Sequence, residues 1–321
     1  MRAYIVRRVL LLIPTLWIVT VVLFLVIRLM PGNVIELMVL QHSQEQAGEL
    51  NLDEALIREM LGMDKPVHVQ YIEWVSGIFL RGDLGKSLWS ERTLVEDMKD
   101  RIPVTFELGL LTIIIANVIG IPIGIYSAIR QDTWLDYVAR SFAILSLATP
   151  AFWLATIAIV YGSIYFNWSP PIEYVPFSVN PVENLKQLFL PAFLVGTAMT
   201  GGMMRYLRTI MLEVLRQDYV RTAWAKGLRE RVIVLRHAVK NALIPLITMF
   251  APQVGMLIGG SVIMEQIFAL PGMGRYLLET ITRRDYWLVS GTNLIYGGFT
   301  MLMILITDIS YAWADPRIRY R

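Results

Sequence analysis

The sequence contains no cysteine, which removes disulfide staples, thiolate metal sites and cysteine nucleophiles together. Histidine is scarce as well. His42, His68 and His237 are scattered along the chain without partners at ligand spacing, so no metal site is expected. Charge is thin: 17% of the 321 residues are charged and 55% are hydrophobic, with a mean hydropathy of +0.53. That is too little charge to solvate the surface of a soluble chain of this size. Neither sign prevails, since Lys+Arg 29 against Asp+Glu 26 leaves a net +3. This is not the basic surplus that draws a protein to nucleic acid. The composition defines an integral membrane protein.

What the chain has instead is long apolar runs. Crossing about 30 Å of hydrocarbon takes roughly 20 apolar residues in a helix, and six stretches free of Asp, Glu, Lys and Arg qualify: Val9 to Ile27, Leu108 to Ile129, Ser141 to Phe166, Gln187 to Met204, Ala242 to Met264 and Leu288 to Thr307. The first follows Arg2, Arg7 and Arg8 as a signal peptide would, but it is long and ends in Arg28-Leu-Met-Pro-Gly32 without a small-residue cleavage site, so it is read as a retained span. An all-α polytopic membrane protein with six transmembrane helices is expected.

Lys and Arg in the connecting segments set the orientation. The N-terminus, the turn at Arg130 to Arg140, the segment Arg205 to Lys240 and the C-terminal tail hold 17 of them, and on the opposite side the segment Pro31 to Arg101 and the loops carrying Lys186 and Arg275 hold 11 over more residues. Both termini are therefore expected in the cytoplasm. The expected divisions are an N-terminus with the first span (1–30), an extracytoplasmic segment (31–103), a five-helix core (104–314) with a cytoplasmic loop at 205–241, and a cytoplasmic tail (315–321). Pro31 to Arg101 carries 13 acids, and apolar residues at helical spacing predict ordered helices over Leu52 to Leu61 and Val69 to Leu80. Within the spans, Gly120-Ile-Pro-Ile-Gly124 and Gly255-Met-Leu-Ile-Gly259 place glycines one turn apart for close helix approach. Pro14, Pro122, Pro150, Pro191, Pro245 and Pro252 are expected to kink or interrupt spans.

The cytoplasmic loop holds the most specific signal, Asp218-Tyr219-Val220-Arg221-Thr222-Ala223-Trp224-Ala225-Lys226-Gly227-Leu228. Asp218 is suited to cap a helix, no breaker follows up to Lys226, a cation at Lys226 suits a helix C-terminus, and Gly227 is free to take the left-handed exit. A second helical stretch is expected from Arg229 through His237 to Asn241. Ala223 and Ala225 keep the first helix slim, with room for the groove of another protein.

This stretch resembles the EAA loop of permease subunits in ATP-binding cassette (ABC) importers, in sequence and in its place before the penultimate span. The resemblance runs nearly end to end and is nearest to the B-type permeases of dipeptide and oligopeptide importers. Its further carriers are Arg28-Leu-Met-Pro-Gly32, Leu61-Gly-Met-Asp-Lys-Pro66, Arg81-Gly-Asp-Leu-Gly85 with Ser87, and Thr149-Pro-Ala-Phe-Trp153. Beyond these come Arg236-His-Ala, Asn241-Ala-Leu-Ile-Pro245, Leu270-Pro-Gly-Met-Gly274, Arg284-Asp-Tyr286 and Asp315-Pro-Arg-Ile-Arg-Tyr320. The departures are Asp218 for the usual glutamate, Trp224 where a basic residue is common, and Asn33 where an acid usually stands. The resemblance implies a cell-membrane permease that forms a path with a second permease and does no covalent chemistry. Residues Asp218 to Leu228 would couple it to two cytoplasmic ATPase subunits, which hold the ATP and Mg, and an extracytoplasmic binding protein would deliver cargo. Peptide is the first choice of cargo, with oligosaccharide and nickel complex behind it.

Gly82-Asp-Leu-Gly-Lys-Ser87 imitates a phosphate loop, but that loop requires a glycine where Leu80 stands. An intramembrane hydrolase lacks a placed nucleophile and base, and a secondary transporter would need coupling carboxylates in mid-bilayer, of which the six runs hold none. Glu107, Glu265 and Asp308 lie at span ends, as candidates either for the path or for the interface. Asn117 and Gln253 lie deeper, where lipid-facing amides are unfavourable, and Thr149-Pro150 interrupts a span and frees a carbonyl. Asn117 and Gln253 are therefore expected to face either another helix or the translocation path, and the region of Asn117, Thr149, Pro150 and Gln253 is expected to border that path.

Overall fold

A computed structural model describes residues 2–28, 64–87, 89–90, 92–242, 245–246, 253, 255 and 262–314. They are helical, with one isolated antiparallel bridge between Lys86 and Thr93. The principal helices are α1 (Arg2–Arg28), α2 (Val67–Arg81), α3 (Leu94–Ile129), α4 (Trp134–Ala148), α5 (Ala151–Phe166), α6 (Pro181–Leu215), α7 (Asp218–Ala225), α8 (Val262–Ile267), α9 (Met273–Thr282) and α10 (Tyr286–Ala314). Four of them, α1, α3, α6 and α10, are long and apolar enough to cross a membrane. The expected third span, Ser141 to Phe166, falls on α4 and α5, which meet at 91° across Thr149–Pro150, where proline has no amide hydrogen to continue the ladder. Pro14, Pro122 and Pro191 lie inside continuous helices, so of these four prolines Pro150 alone interrupts the helix. Most of the expected fifth span, Ala242 to Met264 with Pro252 and Gly259, lies outside the described residues, as do the helix expected at Leu52 to Leu61 and the tail 315–321.

The chain divides into two compact units, one of residues 1–7, 101–275 and 299–321 and the other of residues 8–100 and 276–298. In the first, α6 is the central element. Thr133 caps α4 by accepting the Asp136 amide hydrogen, and Asn180 caps α6 by accepting that of Glu183, with Pro181 pre-set for the first turn. Close approach to α6 depends on missing side chains: a Cβ on Gly124 would come within 2.9 Å of the Met204 carbonyl, and one on Gly201 within 2.6 Å of the Ala143 carbonyl. One apolar cluster joins Leu108, Ala155, Leu188, Ala192 and Phe268, and a second joins Ala128, Met203, Leu207, Met211, Ala238 and Leu246.

In the second unit, the predicted helix at Val69 to Leu80 is present as α2, which ends on Gly82 in the left-handed conformation at φ +66°. Phe24 stacks on Trp74 at 6.0 Å and meets Tyr71 edge-on at 5.4 Å, and the Tyr71 hydroxyl lies 2.9 Å from that of Thr20. Two stretches far apart in sequence also meet here. Ser87 donates to Asp285 at 2.9 Å, the Trp89 indole donates to the Arg283 carbonyl at 3.0 Å, and Tyr276 donates to Asp97 at 2.6 Å. The residues after α2 are thereby fastened to the start of α10.

Candidate functional site

A two-residue turn separates α6 from α7, the eight-residue helix Asp218–Ala225. Its N-cap is Gln217, not Asp218 as expected: Gln217 is extended, with φ −70° and ψ 147°, and its carbonyl accepts the amides of Val220 and Arg221 at 3.0 and 3.1 Å. Asp218 is the first helical residue, with a side chain 98% exposed. A carboxylate in this first turn still complements the positive end of the helix dipole. The other end matches the reading. Gly227 has φ +73°, its amide donates to Trp224 at 2.9 Å, and Leu228 donates to Ala223 at 3.4 Å, the pair of bonds that closes a Schellman turn.

One face of α7 is held by its own chain. Val220, Ala223 and Ile233 are buried together, with Leu215 against them. This corrects one expectation: Ala223 is not open to a partner, because it packs inward against residues 215 and 233. Ala225 remains exposed. So do Asp218, Tyr219, Arg221, Thr222, Trp224, Lys226, Gly227 and Leu228, giving the outer face a mixture of aromatic rings and charge. Tyr219 also accepts from the Asn241 amide at 3.1 Å. The expected second helical stretch begins at Glu230–Val232 and continues as a π-helix, Ile233–Val239. Its Ala238 reaches the cluster around Met203 and Met211, which ties the segment after α7 back to α6.

Of the four residues expected beside a path, the structure brings two together. Asn117 on α3 donates its amide to the Gln253 side-chain oxygen at 3.0 Å and to the Ile113 carbonyl at 2.7 Å, and Gln253 is buried. Thr149 and Pro150 sit at the α4–α5 break and make local backbone bonds, from Thr149 to Leu145 and from Trp153 to Pro150. Neither is hydrogen-bonded to the Asn117–Gln253 pair.

The carboxylates at the span ends serve as clasps. Glu265 accepts from Thr105 at 2.7 Å and from the Arg275 amide at 2.9 Å, and Thr105 in turn accepts the Met273 amide at 2.8 Å. A Cβ on Gly272 would overlap the Glu265 carboxylate, so the Leu270 to Gly274 turn is shaped around that group. Glu107 accepts from Tyr174 at 2.8 Å and from Asn184 at 3.0 Å. Burial, and then Glu107, push the Tyr174 phenol above its ordinary pKa. These bonds engage Glu107 and Glu265 with neighbouring elements of the fold. The side chain of Asp308 lies outside the described residues. No group of three or more His, Asp or Glu suited to a metal occurs among the described residues. Sequence reading missed the Ser87–Asp285 and Thr105–Glu265 links. Ser87, Asp285 and Glu265 lie in stretches already singled out and Thr105 does not, and nothing in spacing reveals a pairing across 198 or 160 positions.

Several helices long and apolar enough to cross a bilayer, with a further apolar pair bent at a proline, define a polytopic α-helical membrane protein. The chain belongs to the family of binding-protein-dependent transport system inner membrane components, whose model matches residues 120–320. The model of that family's N-terminal domain matches residues 1–109. Among curated proteins, the oligopeptide transport system permease protein AppB of Bacillus subtilis (strain 168) is 38% identical over 323 residues, covering 100% of both chains. The glutathione transport system permease protein GsiC of Salmonella choleraesuis (strain SC-B67) is 35% identical over 318 residues, covering 99% of each. A permease of Brucella abortus (strain 2308) with a provisional peptide-transport name is 38% identical over 320 residues, again at full coverage.

Proposed function

We propose that this chain is the permease subunit of an ABC importer that takes up peptides. It forms a path with a second, similar permease, receives cargo from an extracytoplasmic binding protein, and is driven by ATP hydrolysis on two cytoplasmic ATPase subunits. The observation that carries the reading is α7. It is a short helix with a specified exit at Gly227, its inner face is anchored on Val220 and Ala223, and its outer face is exposed. An anchored helix with a free aromatic and charged face is suited to transmit force, because a push on that face moves the chain beneath it. ATP binding closes the ATPase pair, α7 moves with it, the path opens outward to accept cargo, and hydrolysis resets the cycle.

The balance of Lys and Arg supports six spans with both termini in the cytoplasm, the segment 31–103 outside, and α7 on the ATPase side. Asn117, Thr149, Pro150 and Gln253 are assigned to the path, because polar side chains deep in a span and an interrupted helix are placed against the bundle interior or a wet cavity rather than against lipid. Peptide cargo follows the names of the relatives. ATP and Mg belong to the partner subunits, and this chain contributes no catalytic group.

Pull-down of a tagged chain from membranes tests the reading. Recovery of an ATPase subunit and a second permease is expected. Solute uptake by the purified chain alone in liposomes would overturn it.

A further inference from the structure

The turn between α3 and α4 holds the chain on both sides of α7. Asp136, in the first turn of α4, is fully buried and accepts from three directions. Arg208 of α6 engages both of its oxygens, Nε to Oδ1 at 2.9 Å and Nη2 to Oδ2 at 2.8 Å. Ser127 of α3 donates to Oδ1, and the Asp132 amide donates to Oδ2 at 3.1 Å. Ser127 in turn accepts from Arg208 at 3.1 Å. Arg208 lies two turns before the end of α6 and hence just ahead of α7. On the far side of α7, Glu230 pairs with Arg130 of the same turn at 3.4 Å. The residues entering and leaving α7 are thus both bonded to the segment that begins α4, and α4 leads to the break at Thr149–Pro150.

The two pairs differ in strength. A two-pronged arginine–carboxylate contact out of water is costly to separate, because either charge left alone would be buried without a partner. A half-exposed pair such as Arg130–Glu230 contributes far less. Movement of α6 at Arg208 must therefore carry Asp136 with it, while the Arg130–Glu230 pair sets direction more than strength.

We propose that Asp136 is a positioning residue through which movement of α7 reaches α4 and the break at Thr149–Pro150, with Arg130–Glu230 as its auxiliary. This rests on the reading that ATPase subunits dock on α7. The inference adds the route by which their movement enters the membrane helices. Asp136 touches neither cargo nor nucleotide, and it acts through Arg208 and Ser127.

The test uses the whole importer purified through this chain, reconstituted with its co-purified binding protein carrying the solute it was purified with. ATP hydrolysis is measured without and with that binding protein. In Asp136→Asn, ATPase recovery and hydrolysis without binding protein are expected at wild-type level, while stimulation by binding protein falls roughly tenfold. Arg130→Glu is expected to lower stimulation by about two- to threefold, and Arg130→Glu with Glu230→Arg to restore it. If Asp136→Asn does not accumulate in the membrane, the Arg130 and Glu230 variants decide alone. Wild-type stimulation in Asp136→Asn and Arg130→Glu, or no restoration in the exchanged pair, overturns the proposal. Gly227→Val separates the two readings. If it loses ATPase recovery while the Asp136 and Arg130 variants behave as wild type, only the present proposal fails; if it recruits and responds normally, the docking reading fails with it.

Discussion

Leu228 donates its amide hydrogen to the carbonyl of Ala223 at 3.4 Å, and this bond is made possible by the residue between them that turns left. Gly227 has φ +73°, a conformation in which a β-branched side chain is strained by about 1–3 kcal/mol. No atom lies within 4 Å of where a Gly227 Cβ would stand, so the constraint is conformational and not one of space. Gly227→Val is expected to redirect the exit of α7, lower ATPase recovery and abolish ATP-dependent uptake while leaving membrane insertion intact. Gly227→Asn, which tolerates this region better, should keep most of the activity. Equal recovery of ATPase subunits from both variants would contradict the role given to this exit.

The Asn117–Gln253 pair allows a test of the path. Asn117→Leu strands the Gln253 oxygen without its donor and is expected to destabilise the protein by about 1–3 kcal/mol. Adding Gln253→Leu removes the stranded group and should recover protein levels. Uptake should nevertheless stay low in the double variant, since a polar lining has become apolar. Recovery of uptake together with protein level would assign the pair to helix packing alone.

Topology is tested by a thiol in this cysteine-free chain. Ser90 is exposed, in the segment fastened to α10 through Ser87 and Asp285. Ser90→Cys is expected to react with an impermeant maleimide in intact cells or spheroplasts. Labelling seen only after the membrane is broken would place this segment in the cytoplasm and reverse the orientation.

How much of this was legible in the sequence depends on whether the deciding contact is local. The exit at Gly227 was readable, because a glycine after a breaker-free run has few other uses. The helix break was readable from Thr149-Pro150, although its 91° bend was not. The N-cap was misplaced by one residue because Asp218 has the right chemistry, while the extended backbone that makes a cap falls at Gln217. Ala223 was misread as open because small size fits close packing against one's own chain as well as against a partner's. The apolar Val220 at helical spacing from Ala223 was the available clue, and only Ile233 and Leu215 reveal which surface receives them. The Asp136–Arg208 pair joins two charged residues that each looked like ordinary cytoplasmic loop charge.

The central claim is that the outer face of α7 meets an ATPase subunit, and its most direct test is position-specific crosslinking. Single cysteines at Trp224 and Ala225, both exposed, and at Val220, which is fully buried, would each be the only thiol in the chain. A short thiol-to-amine crosslinker is then applied to the assembled importer. The account predicts an ATPase adduct from Trp224→Cys and Ala225→Cys and none from Val220→Cys. Absence of any adduct at the two exposed positions, in complexes that still hydrolyse ATP and take up cargo, would contradict it.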